Sequence, residues 1–502
     1  LRGILKFQGY TVSDWWGIYS NHTQSFTSGI DMNMPGGKSS GAKYQGRNNS
    51  HWSGFEQLVI DKKLDESRVN EAATRIIATM YKLNQMENYP EIDLYKEAKT
   101  KESIKLQRQA ATESQVLLKN DGILPLKKNI KKIAVIGNDA FPRDCIDGDG
   151  DFQCKNETNE VVNGHIPLGY GSGTTDFNYT ITPIEGITNI ADERDINIIT
   201  SGNLIYIQED RNGMMINIQA KEDISSGVKA AKEADVAIVF VKAVSGEGYI
   251  EVENTLGDRL DLKIMHHGDT LIEKVIAANN NTIVVINAPG VVDMPWMDKA
   301  RAIVFSGYAG SESGNAIADI LFGNVNPSGH LPYVWGNLTD YPGKLDNLEN
   351  RTVLNESSGI KWDDVYRYRG VDSAGLQDEE QNHDPEKVFY KEGLYVGQRW
   401  FNKNKLNFTF PFGFGLSYTK FNYTDLKLKM DEKGLNATFN VGNDGEVSGK
   451  AVPMLFLTFP KYIGEYPEYI LKGFEKVEIK PGKKIEVSIF VDDHSLSYFN
   501  VD

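Results

Sequence analysis

Short apolar runs dominate the middle of the chain. Four of them are continuous rather than alternating, at residues 132–137, 234–240, 282–287 and 301–305. Strands that are buried on both faces have this pattern, as in a parallel sheet that helices cover. Helical patterns at 270–278 and 314–321 fit between the runs. This part of the chain is therefore predicted to form an α/β domain with a parallel sheet.

The residues before this domain predict a strand, a long loop and two helices. Residues 10–13 indicate a short strand, and a stretch rich in Gly and Ser follows it. Between Asp65 and Leu83 the apolar side chains recur with the 3.6-residue period of a helix. A second helix is predicted near residues 102–118. It ends at Lys-Asn-Asp-Gly, residues 119–122, which is a helix stop signal.

Alternating strand patterns return near the C-terminal end. They cover residues 435–441, 452–459, 470–479 and 484–491. Short strands separated by turns at this spacing are typical of a β-sandwich. The residues that precede them, from 336 to about 415, have little periodicity and many Asn, Asp and Tyr, which predicts a long polar connector.

Composition narrows the classes of function. The chain has 502 residues, which suggests about three domains. Its 54 basic and 69 acidic side chains give a net charge of −15, which argues against a nucleic-acid partner. No apolar run approaches the roughly 18 residues that a membrane span requires. We therefore expect a soluble multi-domain protein that binds neither nucleic acid nor membrane.

Both ends of the sequence interrupt a predicted element. Leu1 has no Met or signal peptide before it, and residues 498–502 stop inside a strand-like pattern. On this ground we expect the chain to be a piece of a longer protein.

The cellular compartment is inferred from glycosylation signals. Sequons of the form Asn-x-Ser/Thr occur at Asn21, Asn48, Asn156, Asn178, Asn280, Asn337, Asn350, Asn355, Asn407, Asn422 and Asn436. An Asn-rich sequence also produces sequons by chance, but their placement in hydrophilic loops favours a secreted eukaryotic protein. In that compartment Cys145 and Cys154 are expected to form a disulfide.

Several patterns that suggest metal ions are rejected, so we predict no metal and no cofactor. Asp-Gly-Asp-Gly-Asp at 147–151 resembles the start of a calcium loop, but Phe152 and Thr158 replace its Gly and Glu. His266 and His267 are adjacent and would point in different directions. No His accompanies the two cysteines at metal-ligand spacing.

Two carboxylates remain as candidates for catalysis. Asp14 directly follows a short strand, where (β/α) barrels place catalytic residues, and Trp15 beside it offers a flat apolar surface for a sugar ring. Glu247 follows a buried strand between two glycines, which let a backbone pass close to a ligand. The alternative for Asp14 is a carboxylate that caps the next loop, and for Glu247 a simple polar turn.

Several segments of the chain together form a recognisable series, at residues 9–15, 29–36, 117–126, 169–174, 245–249, 257–259, 326–332, 390–397, 410–418 and 471–475. The first is Gly-Tyr-Thr-Val-Ser-Asp-Trp, and the segment at 245–249 is Ser-Gly-Glu-Gly-Tyr. These segments, in this order, resemble the glycoside hydrolase family 3 β-glucosidases, and in particular the secreted fungal members.

The resemblance implies an α/β multi-domain fold. Its parts are the C-terminal portion of a (β/α)8 barrel with the nucleophile (1–90), a linker and leading helix (91–129), an α/β sandwich with the acid/base (130–335), a long polar connector (336–419) and a C-terminally incomplete fibronectin-III-like domain (420–502). The family's earlier barrel strands would precede Leu1.

The resemblance also implies roles for individual residues. Asp14 matches the nucleophile and Glu247 the acid/base, while Trp15 matches the wall of the glucose subsite. Ser172 matches a hydroxyl-bearing residue near that subsite, and Tyr249 an aromatic side of the leaving-group subsite. The family's disulfide matches Cys145 and Cys154, although the loop is longer here. A long loop at 36–44 leaves another leaving-group aromatic open between Tyr44 and Trp52.

The function implied is that of a retaining exo-β-glucosidase, which removes terminal glucose from cellobiose and cello-oligosaccharides during cellulose breakdown. The protein would be extracellular, and a homodimer is possible. A β-xylosidase of the same family is the alternative enzyme, and Trp15 argues against it because those enzymes usually carry a smaller residue there. A different alternative is a carbohydrate-binding or structural fragment without turnover.

Overall fold

The computed structural model describes much of the chain, in stretches. These are residues 2–14, 22–34, 55–86, 99–142, 164–169, 175, 177, 179–202, 204–211, 214–245, 251–252, 255–256, 259, 261–341, 371–373, 388–390, 393–460, 464 and 466–498. Two compact units are present, Leu1–Ala98 and Lys99–Asp502, and each is described by itself.

The first unit contains helices around a small apolar core. Its helices are α1 (His22–Thr27), α2 (Phe55–Ile60) and α3 (Glu66–Lys82). The helix predicted at 65–83 is confirmed, with Asp65 as its N-cap accepting a hydrogen bond from the Ser67 N–H at 2.9 Å. The core is formed by Phe26, Leu64 and Ala72.

The second unit contains the remaining elements. Its helices are α4 (Lys101–Ser114), α5 (Pro183–Glu193), α6 (Ile224–Lys232), α7 (Gly268–Ala278), α8 (Ser313–Leu321), α9 (Gln398–Asn404) and α10 (Asp493–Leu496). Its first strands are β1 (Val116–Asn120), β2 (Lys132–Ile136), β3 (Asn197–Ser201), β4 (Leu204–Arg211), β5 (Met214–Glu222), β6 (Val236–Lys242), β7 (Glu251–Val252), β8 (Thr255–Leu256), β9 (Thr282–Asn287) and β10 (Ala302–Phe305).

A six-stranded sheet forms the centre of this unit, in the order β1-β10-β9-β6-β2-β3. The neighbours from β10 to β3 are parallel. Every residue of β6, β9 and β10 is buried, which explains their continuous apolar pattern. Helices α6 and α7 cover one face, and α5 and α8 cover the other. The predicted α/β layers and the four apolar strands are thereby confirmed.

The prediction was wrong at strand β1. Residues 116–118 were expected to end the helix that begins near Glu102, but α4 ends at Ser114 and β1 follows at once. This strand pairs antiparallel with β10, so the sheet is mixed rather than wholly parallel. The first three residues of β1 are buried, and a short apolar run has no period that distinguishes a buried strand from a helix.

The C-terminal part consists of short antiparallel strands. They are preceded by β11 (Val371–Ser373) and β12 (Val388–Tyr390), and comprise β13 (Phe421–Asp431), β14 (Gly434–Asn443), β15 (Gly449–Ala451), β16 (Met454–Leu457), β17 (Ile470–Phe474), β18 (Val477–Ile479) and β19 (Lys484–Asp492). The strands β13, β14 and β19 form one sheet, while β15 pairs with β18 and β16 with β17. Val441, Ala451 and Ile489 contribute to the buried core between them.

Among the described residues, no helix has the length and apolar character needed to cross a bilayer.

Candidate functional site

Asp14 lies two residues after a parallel β-bridge in the first unit. Val12 and Met32 form this isolated bridge, to which the strand predicted at residues 10–13 is reduced, and the Ser13 N–H donates to the Met32 carbonyl at 2.9 Å. The Ser13 hydroxyl also accepts from the Met34 N–H at 2.8 Å, which fixes the residue before Asp14. Ser13 is buried, whereas Asp14 is exposed. The exposed carboxylate therefore follows a bridged extended segment, in the position where parallel barrels place catalytic residues after their strands.

A buried carboxylate, Asp31, connects the residues around this bridge to the rest of the unit. Its oxygens accept from Arg2 Nη2 at 2.6 Å and from Arg68 Nη2 and Arg75 Nη1, each at 2.9 Å. The Thr11 N–H on the neighbouring strand donates to it at 2.9 Å. Burial by itself would raise the pKa of Asp31, but the hydrogen bonds from Thr11, Arg75 and Arg68 outweigh burial and lower it.

The other candidate residues predicted from the sequence lie outside the described residues. These are Trp15, Ser172, Glu247 and Tyr249, together with Cys145, Cys154, Tyr44 and Trp52. The structure does describe the residues that lead into two of the segments: Gly169 comes three residues before Ser172, and Ser245 two residues before Glu247.

Those two leading segments meet at Tyr308, which follows β10. The Tyr308 hydroxyl donates to the Ala243 carbonyl at 3.1 Å and accepts from the Ser245 N–H at 3.3 Å. A Cβ at Gly169 would lie 3.2 Å from Tyr308 Cε2 and 3.4 Å from the Ser245 carbonyl oxygen. Glycine therefore permits this close approach, and the segments that lead to Ser172 and Glu247 contact each other.

The segments at Gly169 and Ser245 meet at the carboxyl ends of the parallel strands, which we call the carboxyl edge of the sheet. The strands β2, β6, β9 and β10 run in the same direction, so the residues that follow them lie along one edge. Ligands of open α/β sheets bind at this edge. At the end of β2, Gly137 has φ of +100°, and a Cβ there would lie 2.1 Å from the Phe240 carbonyl oxygen. Only glycine fits where β2 turns away from β6.

Polar side chains from this edge hold residues 164–169, which we call the 164–169 segment. The Gly164 N–H donates to Asn138 Oδ1 at 2.7 Å, and the Ile166 N–H donates to Asp139 Oδ1 at 3.3 Å. Asn287 Nδ2, at the end of β9, donates to the Ile166 carbonyl at 2.7 Å. Because the backbone groups of this segment find their partners on the sheet edge, its position follows that of the strands.

His165 adds side-chain contacts to the same segment. Its Nδ1 lies 3.0 Å from the Asp139 carbonyl oxygen, which can only accept, and its Nε2 lies 2.7 Å from Ser313 Oγ. Nδ1 therefore carries a hydrogen and donates it to the Asp139 carbonyl. Ser, His and Asp also form hydrolytic triads. Here the three residues are 1%, 4% and 2% exposed, so a substrate has no access and the array supports the segment.

The sequence reasoning did not single out these supporting residues. Asn138, Lys242, Asn287 and Tyr308 each stand at or just after the end of an apolar run. For Asn138, Lys242 and Asn287 the signal available was the first polar residue at or after the end of each predicted parallel strand, because such residues collect at one edge of the sheet. Among the described residues, no group of three or more His, Cys, Asp or Glu side chains is arranged to hold a metal ion.

Replacement of Tyr308 by phenylalanine tests its supporting role. Tyr308→Phe removes both hydrogen bonds but keeps the ring, and it leaves the buried Ala243 carbonyl without this donor. We expect the free energy of unfolding to fall by about 1–2 kcal/mol in urea denaturation. Tyr418→Phe is the matched control, because it removes a 2.8 Å hydrogen bond to the Ile320 carbonyl elsewhere in the unit. Hydrogen exchange at residues 243–245 should accelerate only in Tyr308→Phe, and equal rates in the two variants would contradict this role.

Two family models match the chain. The model described as "Glycosyl hydrolase family 3 C-terminal domain" matches residues 115–418, and "Fibronectin type III-like domain" matches residues 451–502. The first covers the six-stranded sheet and its carboxyl edge, and the second covers strands from β16 onward together with the last residue of β15.

Curated relatives align along the whole chain. "Probable beta-glucosidase L" from Aspergillus terreus is 32% identical over 533 aligned positions, which take in 100% of this chain and 64% of the relative. "Beta-glucosidase cel3A" from Pyricularia oryzae is 30% identical, with 100% of this chain and 63% of the relative aligned. The chain thus spans slightly less than two thirds of the length of these relatives.

Solved structures agree with these matches. The beta-glucosidase D2-BGL from Chaetomella raphigera superposes with a TM-score of 0.78 at 30% identity, over 100% of this chain and 65% of that one. The beta-D-glucoside glucohydrolase from Trichoderma reesei gives 0.79 at 28% identity, over 100% and 64% of the two chains.

Proposed function

The chain belongs to glycosyl hydrolase family 3, and from that premise we propose that the complete gene product is a retaining β-glucosidase. The resemblance predicted from the sequence is confirmed, as is the fold class, an α/β domain followed by a fibronectin type III-like domain. The observation that carries the proposed activity is the position of Asp14, exposed two residues after the parallel bridge between Val12 and Met32. The names of the relatives support glucosides as the substrate class.

In the proposed mechanism Asp14 is the nucleophile and Glu247 is the acid/base. The Asp14 carboxylate attacks the anomeric carbon while the Glu247 carboxyl group gives its proton to the leaving glycosidic oxygen. Water then attacks the glycosyl–enzyme ester, with the Glu247 carboxylate taking its proton, and glucose leaves with retained configuration. Retention requires carboxyl groups about 5–5.5 Å apart, so this separation is a requirement of the proposal.

Three further residues complete the proposed substrate site. Trp15 supplies an apolar wall for the glucose ring, Ser172 a hydroxyl beside it, and Tyr249 an aromatic surface for the leaving group. Support for Ser172 and Glu247 comes from the contact of Gly169 with Ser245 and Tyr308, because the segments leading to both residues start from one place. Terminal glucose of cellobiose and cello-oligosaccharides is the proposed natural target.

We also propose that the protein is secreted and glycosylated, with a disulfide between Cys145 and Cys154. Five of its sequons lie in described residues, at Asn280, Asn337, Asn407, Asn422 and Asn436. Asn280, Asn337 and Asn407 are exposed, as an acceptor for a glycan must be. The domain boundaries at residues 90, 129, 335 and 419 remain predictions.

Substrate preference tests the proposed function. With the complete gene product we expect kcat/KM for 4-nitrophenyl β-glucoside to exceed that for 4-nitrophenyl β-xyloside at least about tenfold, or ~1.4 kcal/mol of transition-state binding. The physical reason is that Trp15 would contact the C6 hydroxymethyl group that xylose lacks. The opposite ranking would favour the β-xylosidase, and turnover of neither substrate would favour a carbohydrate-binding or structural role.

A further inference from the structure

Lys242 is a buried lysine at the last position of β6, and the mechanism above does not use it. Its residue exposure is 3%, and the six other residues of the strand are buried and apolar. Lysine is almost never fully buried unless it is paired, because removing an ammonium from water costs several kcal/mol. A leucine or methionine would satisfy the burial of this strand without that cost. The lysine at this position therefore needs an explanation from its contacts.

The contacts of Lys242 connect two segments. Its Nζ donates to the Gly164 carbonyl and, at 3.2 Å, to Asn138 Oδ1. The Asn138 side chain in turn accepts from the Gly164 N–H at 2.7 Å. One ammonium thus binds the first residue of the 164–169 segment both directly and through Asn138. Lys242 itself belongs to the strand whose continuation reaches Glu247 five residues later.

A buried carboxyl group also contacts Asn138. Glu222, at the end of β5, is buried and accepts from the Asn138 N–H at 3.0 and 3.2 Å. Burial raises the pKa of Glu222 to about 7, and the Asn138 N–H and the charge of Lys242 oppose that rise. Asn138 thus contacts both charged-type residues: its side-chain oxygen accepts from Lys242, and its backbone N–H donates to the Glu222 carboxyl group. Burying such a network is favourable only if its polar groups form hydrogen bonds with one another.

We propose that Lys242 is a positioning residue, which holds the 164–169 segment against the end of β6. Lys242 then links the segment that leads to Ser172 directly to the strand that leads to Glu247. Tyr308 supports the same two segments at Gly169, the last residue of the 164–169 segment. Its hydroxyl group hydrogen-bonds to Ala243 and Ser245, and its ring lies beside Gly169. The catalytic consequence rests on the function proposed above, whereas the structural consequence does not.

The variant Lys242→Met tests the proposal in the complete gene product. Methionine fills a similar volume without charge or N–H donors. We expect amide hydrogen exchange at residues 164–169 and 243–245 to accelerate at least about tenfold, with residues of β9 and β10 unchanged. We also expect kcat/KM for 4-nitrophenyl β-glucoside to fall at least about tenfold. The loss for 2,4-dinitrophenyl β-glucoside should stay below about threefold, because that leaving group needs little help from a misplaced acid.

Two controls separate positioning from general destabilisation. Arg108→Met removes a bidentate ion pair with Asp319, at 2.8 Å for each contact, between α4 and α8. It should lower stability but leave exchange at residues 164–169 and the ratio of the two substrates unchanged. Glu222→Gln, measured at pH 5.5, keeps an acceptor for the Asn138 N–H and leaves Lys242 in place, so the segment should exchange as in the wild type.

The outcomes distinguish this inference from the proposed function. Wild-type exchange at residues 164–169 in Lys242→Met, uniform acceleration across the sheet, or equal losses for the two glucosides would overturn it. If Lys242→Met does not accumulate as folded protein, Lys242→Gln replaces it with the same readouts, since glutamine retains an N–H donor one bond closer to the backbone. If the wild type turns over neither glucoside, the proposed function fails, and the exchange data alone decide whether Lys242 holds the segment.

Discussion

Asp14→Ala in the complete gene product is expected to lower kcat/KM for every β-glucoside by at least about 10⁴-fold, whatever its leaving group. Without the carboxylate no glycosyl–enzyme ester forms, so a better leaving group cannot restore the first step. Asp61→Ala is the matched control, because Asp61 is an exposed aspartate of the same unit that pairs only with the neighbouring Lys63 and Gln57 in the contacts described. It should retain wild-type kinetics.

Glu247→Ala is expected to behave differently, since only proton transfer is lost. Turnover of 4-nitrophenyl β-glucoside should fall by about 10²–10⁴-fold. The first step with 2,4-dinitrophenyl β-glucoside should survive, so that a burst of dinitrophenol precedes slow deglycosylation. Added azide should raise the steady-state rate and yield a β-glucosyl azide, because azide attacks without a general base.

These two variants therefore assign separate roles to the two carboxylates. If Glu247→Ala loses both classes of substrate equally, shows no burst and ignores azide, Glu247 is not the acid/base. The acidic residues that follow it in the sequence, Glu251, Glu253 and Asp258, would then be tested in the same way. If Asp14→Ala keeps turnover with the dinitrophenyl substrate, Asp14 is not the nucleophile.

Asp31→Ala should produce the largest loss of stability in the first unit. It leaves the guanidinium groups of Arg2, Arg68 and Arg75 without the buried carboxylate that now receives them. Removing one partner of a buried ion pair costs about 3–5 kcal/mol. We expect a loss of this size in urea denaturation followed by hydrogen exchange of residues 22–34 and 66–82. Asp61→Ala should stay within about 0.5 kcal/mol of the wild type, as surface substitutions do.

The stability difference at Asp31 should also depend on pH. Because the pKa of Asp31 is lowered in the folded state, its contribution is complete above the unfolded-state pKa of about 3.9. It is lost as the pH falls through the lower folded-state pKa. The gap between the wild type and Asp31→Ala should therefore be constant near neutral pH and narrow below about pH 4. A gap under 1 kcal/mol at pH 7 would contradict the role assigned to Asp31.

The sequence by itself determined the elements whose burial is uniform or periodic. The strands β2, β6, β9 and β10 were predictable because the interior of a strand covered on both faces is a continuous apolar run. Helix α3 was predictable from its 3.6-residue period and from Asp65 at its start. The family, and through it the candidate residues Asp14 and Glu247, followed from motifs that are continuous in sequence.

Only the tertiary structure decided which separate residues act together. Val116 pairs with Phe305 across 189 positions, and this distant partner makes β1 a strand although its local pattern fitted a helix. Asn138, Lys242, Asn287 and Tyr308 lie at or within three residues of the ends of four separate apolar runs, so no local pattern marks them as one group. They come together because parallel strands bring their carboxyl ends to one edge of a sheet, in an order set by helix packing rather than by sequence position.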